Sequence, residues 1–329
     1  MEIGETAGVG RRREGSCRWR TWLLLGLSLV ASEAHAHARS THPNVDIPAD
    51  HEPITPIPQT LSVDSRTVKL GAELFSDPRL SGDGTRACSS CHDVTTNGAG
   101  ATRFDRAPDG SFIPLNTNTV FNAALSFRQN WEGNAASLED QAAQSLSDPR
   151  IMASSPDNAL ERIADDKALR IQFELVYGEG PNRANLLDAI ATYERSLLTP
   201  GSRFDRWLLG DKEALSDEEQ VGYGLFKSLG CASCHQGVNV GGNLFERTGI
   251  FEGLLHKQAI DLRVPSLRNV AVTAPYFHNG SAATLDRAVS RMGYAQLGRT
   301  LSAGQIKAIV AFLGSLTGSY QGKSLKAPS

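Results

Sequence analysis

Cys88-Ser89-Ser90-Cys91-His92 and Cys231-Ala232-Ser233-Cys234-His235 are two copies of one pentapeptide, C-x-x-C-H, and hold every cysteine of the 329-residue chain except Cys17. Two thiols three positions apart reach the two vinyl groups of one porphyrin, and the adjacent imidazole comes up beneath the iron. The pattern reads as two covalently attached c-type haems, with Cys88, Cys91, Cys231 and Cys234 as tethers and His92 and His235 as iron ligands. Structural disulfides, a four-thiolate zinc site or thioredoxin-like redox pairs would explain the cysteines. None of them explains why histidine follows the second cysteine both times.

Haem attachment to thiols belongs outside the cytoplasm, and the first 36 residues read as an export signal. Arg11, Arg12, Arg13, Arg18 and Arg20 form a basic region, an apolar run follows from Trp22 to Ala31, and Ala34, Ala36 and Ala38 offer a small-residue cleavage site. The apolar run is shorter than the roughly 20 residues that span a bilayer, so no stable membrane span is expected. An uncleaved anchor is the alternative reading of the same residues. Cys17 precedes the apolar run and so is no lipoprotein cysteine. Residues 1–36 carry five Arg and four Glu, so their removal turns the formal charge of −3 into −4. That balance lacks the clustered positive charge that nucleic acid requires, and it suits a basic or dipolar redox partner.

The chain repeats itself weakly. Gly71-Ala-Glu-Leu74-Phe75 precedes the first haem motif and Gly222-Tyr-Gly-Leu225-Phe226 the second, while Ala189-Ile190 to Ser196-Leu197 matches Ala308-Ile309 to Ser315-Leu316. Each half reads as helix, haem motif, loops and a closing amphipathic helix. Ser216 and Glu219 make a capping box ahead of Val221, Leu225 and Phe226, and Ile306, Ile309, Val310 and Leu313 recur at helical spacing. Leu198-Thr199-Pro200-Gly201-Ser202 has the composition of a junction. The expected fold is mainly α, two cytochrome c-like haem domains in tandem: a signal over 1–36, an N-terminal haem domain over 37–200 and a C-terminal one over 201–329.

From about Lys69 to Gly318 the sequence resembles the bacterial diheme cytochrome c peroxidases and their relative MauG, which matures methylamine dehydrogenase. The longest match is Leu267-Arg-Asn-Val-Ala-Val-Thr-Ala-Pro-Tyr-Phe-His-Asn-Gly280, followed by Met292-Gly-Tyr-Ala-Gln-Leu-Gly298. Thr119–Ala123, Trp131-Glu132-Gly133 and Ser137–Ala142 match as well. The resemblance implies that the haem on His235 takes up electrons with Met292 as its second axial ligand, a thioether that raises the potential. The haem on His92 would be the peroxidatic one. Trp131 falls where the family has a tryptophan between the haems, Gln141 matches a distal-pocket glutamine, and Asn116, Thr273 and Pro275 match positions that bind a calcium ion between the domains.

Two departures bear on mechanism. With Gln141, Pro149 and Met152 fixing the register, Ile151 stands where the family has its distal glutamate, and isoleucine transfers no proton. Asp148 is the nearby carboxylate, yet an Asp-Pro turn residue more naturally bonds its own backbone. Residues 93–119 contain no His, Met, Cys or Tyr, whereas many relatives carry there a histidine that blocks the N-terminal haem until the other is reduced. The oxidised N-terminal haem is therefore expected to be five-coordinate or water-bound. His278 reads as structural, Trp207 as core, and His42, His51 and His256 as surface or loop residues.

The leading expectation is a periplasmic peroxidase reducing hydrogen peroxide to water with electrons from a small cytochrome c or cupredoxin, with a homodimer as one form the resemblance allows. A MauG-like protein-modifying oxidase is the second reading, opposed by Met292 because MauG-type members have tyrosine there. A diheme electron carrier or redox sensor is the third, kept open by Ile151.

Overall fold

The computed structural model describes residues 52–251 and 260–328. The proposed signal, Cys17, His42, His51 and His256 lie outside those residues. Nine α-helices occur among the described residues: α1 Ser65–Phe75, α2 Leu138–Ser147, α3 Pro156–Ile163, α4 Lys167–Tyr177, α5 Arg183–Ser196, α6 Arg203–Leu208, α7 Asp217–Ser228, α8 Leu285–Leu297 and α9 Ala303–Ser315. Two short antiparallel ribbons accompany them, β1 Phe245–Arg247 with β2 Asp261–Arg263 and β3 Ser319–Tyr320 with β4 Lys323–Ser324. The fold is mainly α, as the lack of alternating strand patterns implies, and it carries tandem haem domains.

Each half is built on one crossing helix pair, α1 against α5 and α7 against α9. The glycines of the sequence repeat sit at the crossings, where a Cβ on Gly71 would overlap the Ala189 carbonyl and one on Gly222 the Ala308 carbonyl. Leu70, Leu74, Phe173, Leu186 and Ile190 form the first core. Phe204, Tyr223, Phe226, Ile309 and Phe312 form the second. Ser216 accepts from the Glu219 amide and Glu219 from the Ser216 amide, the expected capping box. Val221 is a correction to the helical stripe, since it is 58% exposed while Tyr223 and Phe226 carry the buried face of α7.

The repeat extends into the loops with a constant offset. Asn122 and Asn269 both take left-handed backbone, φ 61° and 63°, a conformation Asn tolerates better than most residues. Their side chains converge on Thr199, with Nδ2 to Oγ1 distances of 2.8 and 2.9 Å. Seven residues on, the bridges Gln129 to Ala135 and Tyr276 to Ala282 correspond, and then the caps Ser137 of α2 and Thr284 of α8. The same offset sets Trp131 against His278 and Ser145 against Met292.

The two ends of the described chain cross over. Ile54 joins the second core, with Gly237 N–H donating to the Pro53 carbonyl at 2.8 Å. Tyr320 and Leu325 pack instead with Phe121, Tyr193 and Leu197 beside the first haem motif.

Candidate active site

Both pentapeptides fold alike. Cys88–Ser90 and Cys231–Ser233 are single 3₁₀ turns, and the His92 and His235 amides each donate back to the first cysteine carbonyl at 3.0 Å. Each imidazole is then oriented by the backbone that follows it. His92 Nδ1 donates to the Gly98 carbonyl at 3.0 Å and His235 Nδ1 to the Val240 carbonyl at 3.2 Å. A carbonyl only accepts, so Nδ1 carries the proton and Nε2 keeps a free lone pair, the usual preparation of a metal-binding histidine. Burial pulls both imidazoles down in pKa, His235 to about 4, so they stay neutral at ordinary pH.

The four cysteines among the described residues make no disulfides. Burial raises the thiols, Cys88 to about 12 and Cys91 and Cys231 to about 11, opposite to the environment of a redox-active thiolate. No cluster of three or more His, Cys, Asp or Glu side chains able to hold a metal ion occurs among the described residues, so the two pairs do not form one zinc site. Four unpaired thiols beside two neutral, pre-oriented imidazoles fit covalent haem.

Both motifs open into one cavity of about 880 Å³, whose lining also includes Trp131, Gln141, Ile151 and Met292. Trp131 is 9% exposed, and its Nε1 donates to the Asn116 carbonyl at 2.8 Å. Its ring meets His278 edge to face at 6.0 Å, and the Asn116 amide donates to the His278 carbonyl at 2.7 Å. Met292 lines the cavity from α8. Gln141, on α2, donates from Nε2 to Ser145 Oγ at 2.9 Å, and both residues border the cavity.

Ile151 borders the cavity and packs against Met152 and the first core. Asp148 caps α2, accepts from the Arg150 amide and pairs with the Arg150 guanidinium at 2.8 Å, which holds its carboxyl below the usual carboxylate range. It is committed to its own turn. Asn116, Thr273 and Pro275 all border the same cavity. Asn116 spends its amide group on the Thr102 and Arg103 carbonyls, and Thr273 Oγ1 donates to the Val270 carbonyl. Trp207 stacks on Phe204 at 5.7 Å against the second core.

The family described as di-haem cytochrome c peroxidase matches residues 65–213. The chain is 38% identical over 316 residues to the cytochrome c551 peroxidase of Nitrosomonas europaea, covering 92% of both proteins. The chain belongs to the diheme cytochrome c peroxidase family. It is also 41% identical over 288 residues to the cytochrome c peroxidase Ccp of Escherichia coli K12, covering 82% of this chain and 62% of that longer relative. Among solved structures, a MauG-like protein associated with microbial copper homeostasis superposes with a TM-score of 0.68 at 25% identity, covering 84% of this chain and 95% of that one. The chain is thus a peroxidase-like oxidoreductase, and the family has two haem c groups.

Three lining residues escape a motif-based reading. Glu194, on α5, is 6% exposed, its backbone carbonyl accepts from the Leu197 amide, and burial raises its carboxyl to about 8. Ser145 shows its relation to Met292 only once the loops are superposed. Arg263 ends β2 as a buried cation. Glu194 is the one charged residue among the buried positions of α5, since Arg183, Asp188 and Arg195 keep some exposure.

Proposed function

We propose that this chain is a periplasmic diheme peroxidase that reduces hydrogen peroxide to water with electrons from a small cytochrome c or cupredoxin. The observation that carries the reading is the single cavity joining both C-x-x-C-H motifs, with Trp131 in its wall. Residues 37–200 serve as the peroxidatic domain and 201–329 as the electron-input domain, behind a signal over 1–36. Haem, when bound, supplies iron that takes up peroxide at one site and exchanges electrons at both.

The chain's own residues divide the remaining tasks. His92 and His235 present Nε2 to the two irons, and Met292 supplies a thioether at the electron-input site. Trp131 is the electron bridge, held in place by the Asn116 carbonyl and the His278 ring. Gln141, steadied by Ser145, presents an amide to the peroxide pocket but moves no proton of its own. Asn116, Thr273 and Pro275 hold a calcium ion at the wall between the domains: Asn116 Oδ1 accepts no hydrogen bond from any described residue, and oxygen donors suit a hard cation.

Ile151 favours a second reading, a diheme electron carrier or sensor, because the pocket lacks its usual carboxylate and Asp148 is tied to Arg150. Met292 disfavours the MauG-like alternative. Steady-state peroxide turnover with reduced cytochrome c, alongside Ile151→Glu, separates the readings. The unaltered protein is expected to turn over well above a His92→Ala control, and Ile151→Glu to raise kcat by roughly 100- to 10,000-fold. Turnover no better than that control, restored by the glutamate, would establish the carrier or sensor instead.

A further inference from the structure

Five arginines border the cavity: Arg86, Arg106, Arg150, Arg263 and Arg268. Four have an evident place. Arg86 and Arg106 are not buried and donate to the Arg106 and Gly110 carbonyls, Arg150 pairs with Asp148, and the fully buried Arg268 pairs with Asp205 at 2.8 Å. Arg263 is only 8% exposed and has no carboxylate partner among the described residues. Its Nε donates to the Asn130 carbonyl at 3.0 Å and Nη1 to Ser126 Oγ at 3.2 Å, both neutral acceptors. No described residue accepts from Nη2. Desolvation draws the guanidinium down to about 10, with no anion to offset it.

A buried cation without a counter-charge is costly, and natural proteins retain one where an anion comes to meet it. The position is specific. The Arg263 amide donates to the Trp131 carbonyl at 2.9 Å. On the other side, the Gly242 amide donates to the Val264 carbonyl at 2.7 Å, and a Cβ on the neighbouring Gly241 would overlap the Pro265 carbonyl and lie 3.4 Å from His235 Nδ1. The guanidinium thus stands in the wall that joins the tryptophan to the loop orienting His235.

We propose that Arg263 is an anion site that binds a carboxylate, a propionate of the haem attached at Cys231 and Cys234, and thereby raises that haem's reduction potential. A planar fork with unspent donors matches a carboxylate, and its fixed positive charge disfavours the oxidised, more positive iron. The inference rests on haem attachment at His235 and not on the peroxidase reading.

Spectroelectrochemical titration of the purified diheme protein tests it, with Arg263→Gln and Arg263→Lys alongside and haem content checked for each. In Arg263→Gln the C-terminal haem is expected to fall by about tenfold in its reduction equilibrium constant, about 59 mV. The N-terminal haem should stay unchanged, and Arg263→Lys should keep most of the potential. An unmoved C-terminal haem, or a shift confined to the N-terminal one, overturns the proposal. Repeating the titration of the unaltered protein in phosphate and in phosphate-free buffer separates the two sources of anion. A resident propionate leaves the potential independent of phosphate, and a potential that follows phosphate concentration overturns the assignment to haem. If Arg263→Gln yields no haem-loaded protein, Arg263→Lys decides: loading with the potential held supports a charge role, and failure like that of glutamine shows that only the fork's bonds to Ser126 and Asn130 matter.

Discussion

Glu194 shows how one buried group registers in the behaviour of the whole protein. Burial raises its carboxyl from 4.5 to about 8, Glu139 adds repulsion, and Arg195 offsets part of it. Between those two values the folded chain holds a proton that the unfolded chain has released. Stability contributed by this group therefore falls as pH rises from about 4.5 to 8 and is level above. Glu194→Gln removes that slope. Thermal melts of parent and variant should coincide near pH 4.5, with the variant more stable at pH 8 by at least about 1 kcal/mol, since each unit of displacement is worth about 1.4. Parallel melting curves across that range would show that the carboxyl is ionised in the folded state. Ser145 bears on the same pocket by a different route. Ser145→Ala releases Gln141 Nε2 from its only described acceptor. If the glutamine positions peroxide, the change should raise KM several-fold while leaving both haem potentials where they were, read by turnover and by titration of the same samples.

At the scale of helices, the two crossings make a paired test possible on a single element. Gly222 and Gly224 lie two residues apart on α7, yet a Cβ on Gly222 would enter the α9 backbone while one on Gly224 would meet nothing within 4 Å. Gly222→Ala must push α7 from α9, and overpacking of this kind costs typically 1–3 kcal/mol or more. Gly224→Ala gains helix propensity in open space and should stabilise by about 0.5–1 kcal/mol. Chemical denaturation of the two variants reads both, and equal effects would mean that the crossing is not close-packed.

These glycines also mark where the sequence was informative and where it was not. The repeat that contains Gly71 and Gly222 is visible in the letters, and so are the C-x-x-C-H motifs and the Ser216 cap, because each depends on neighbours close in sequence. The equivalence of Ser145 with Met292 is invisible, since a serine and a methionine share nothing until Asn122 and Asn269 align the loops. Arg263 is invisible for a related reason: its isolation from carboxylates is set by β2 pairing with β1 and by contacts to Asn130 and Ser126, more than 130 residues away. Val221 misled because its apolar character matched the spacing of a stripe that Tyr223 and Phe226 fill.

For the molecule as a whole, the decisive question is whether the N-terminal site is open before any electron arrives. Two segments of the first half line the cavity beside the His92 motif. The loop over residues 93–119 contributes Ala99, Asp105, Ile113 and Asn116 to the cavity, but it has no His, Met, Cys or Tyr. The place corresponding to Met292 holds Ser145, whose hydroxyl is engaged by Gln141. Neither segment holds a His, Met or Cys, whereas Met292 lines the cavity from the second half. The oxidised protein should therefore show one high-spin and one low-spin haem by electron paramagnetic resonance. Peroxide consumption should start without a lag, at initial rates that agree within about twofold for oxidised and half-reduced stocks, because no ligand has to leave. Two low-spin haems, together with a lag that prior reduction abolishes, would mean that a residue outside these two segments moves in to block the iron. The asymmetry between Ser145 and Met292 would then no longer account for the division of labour between the halves.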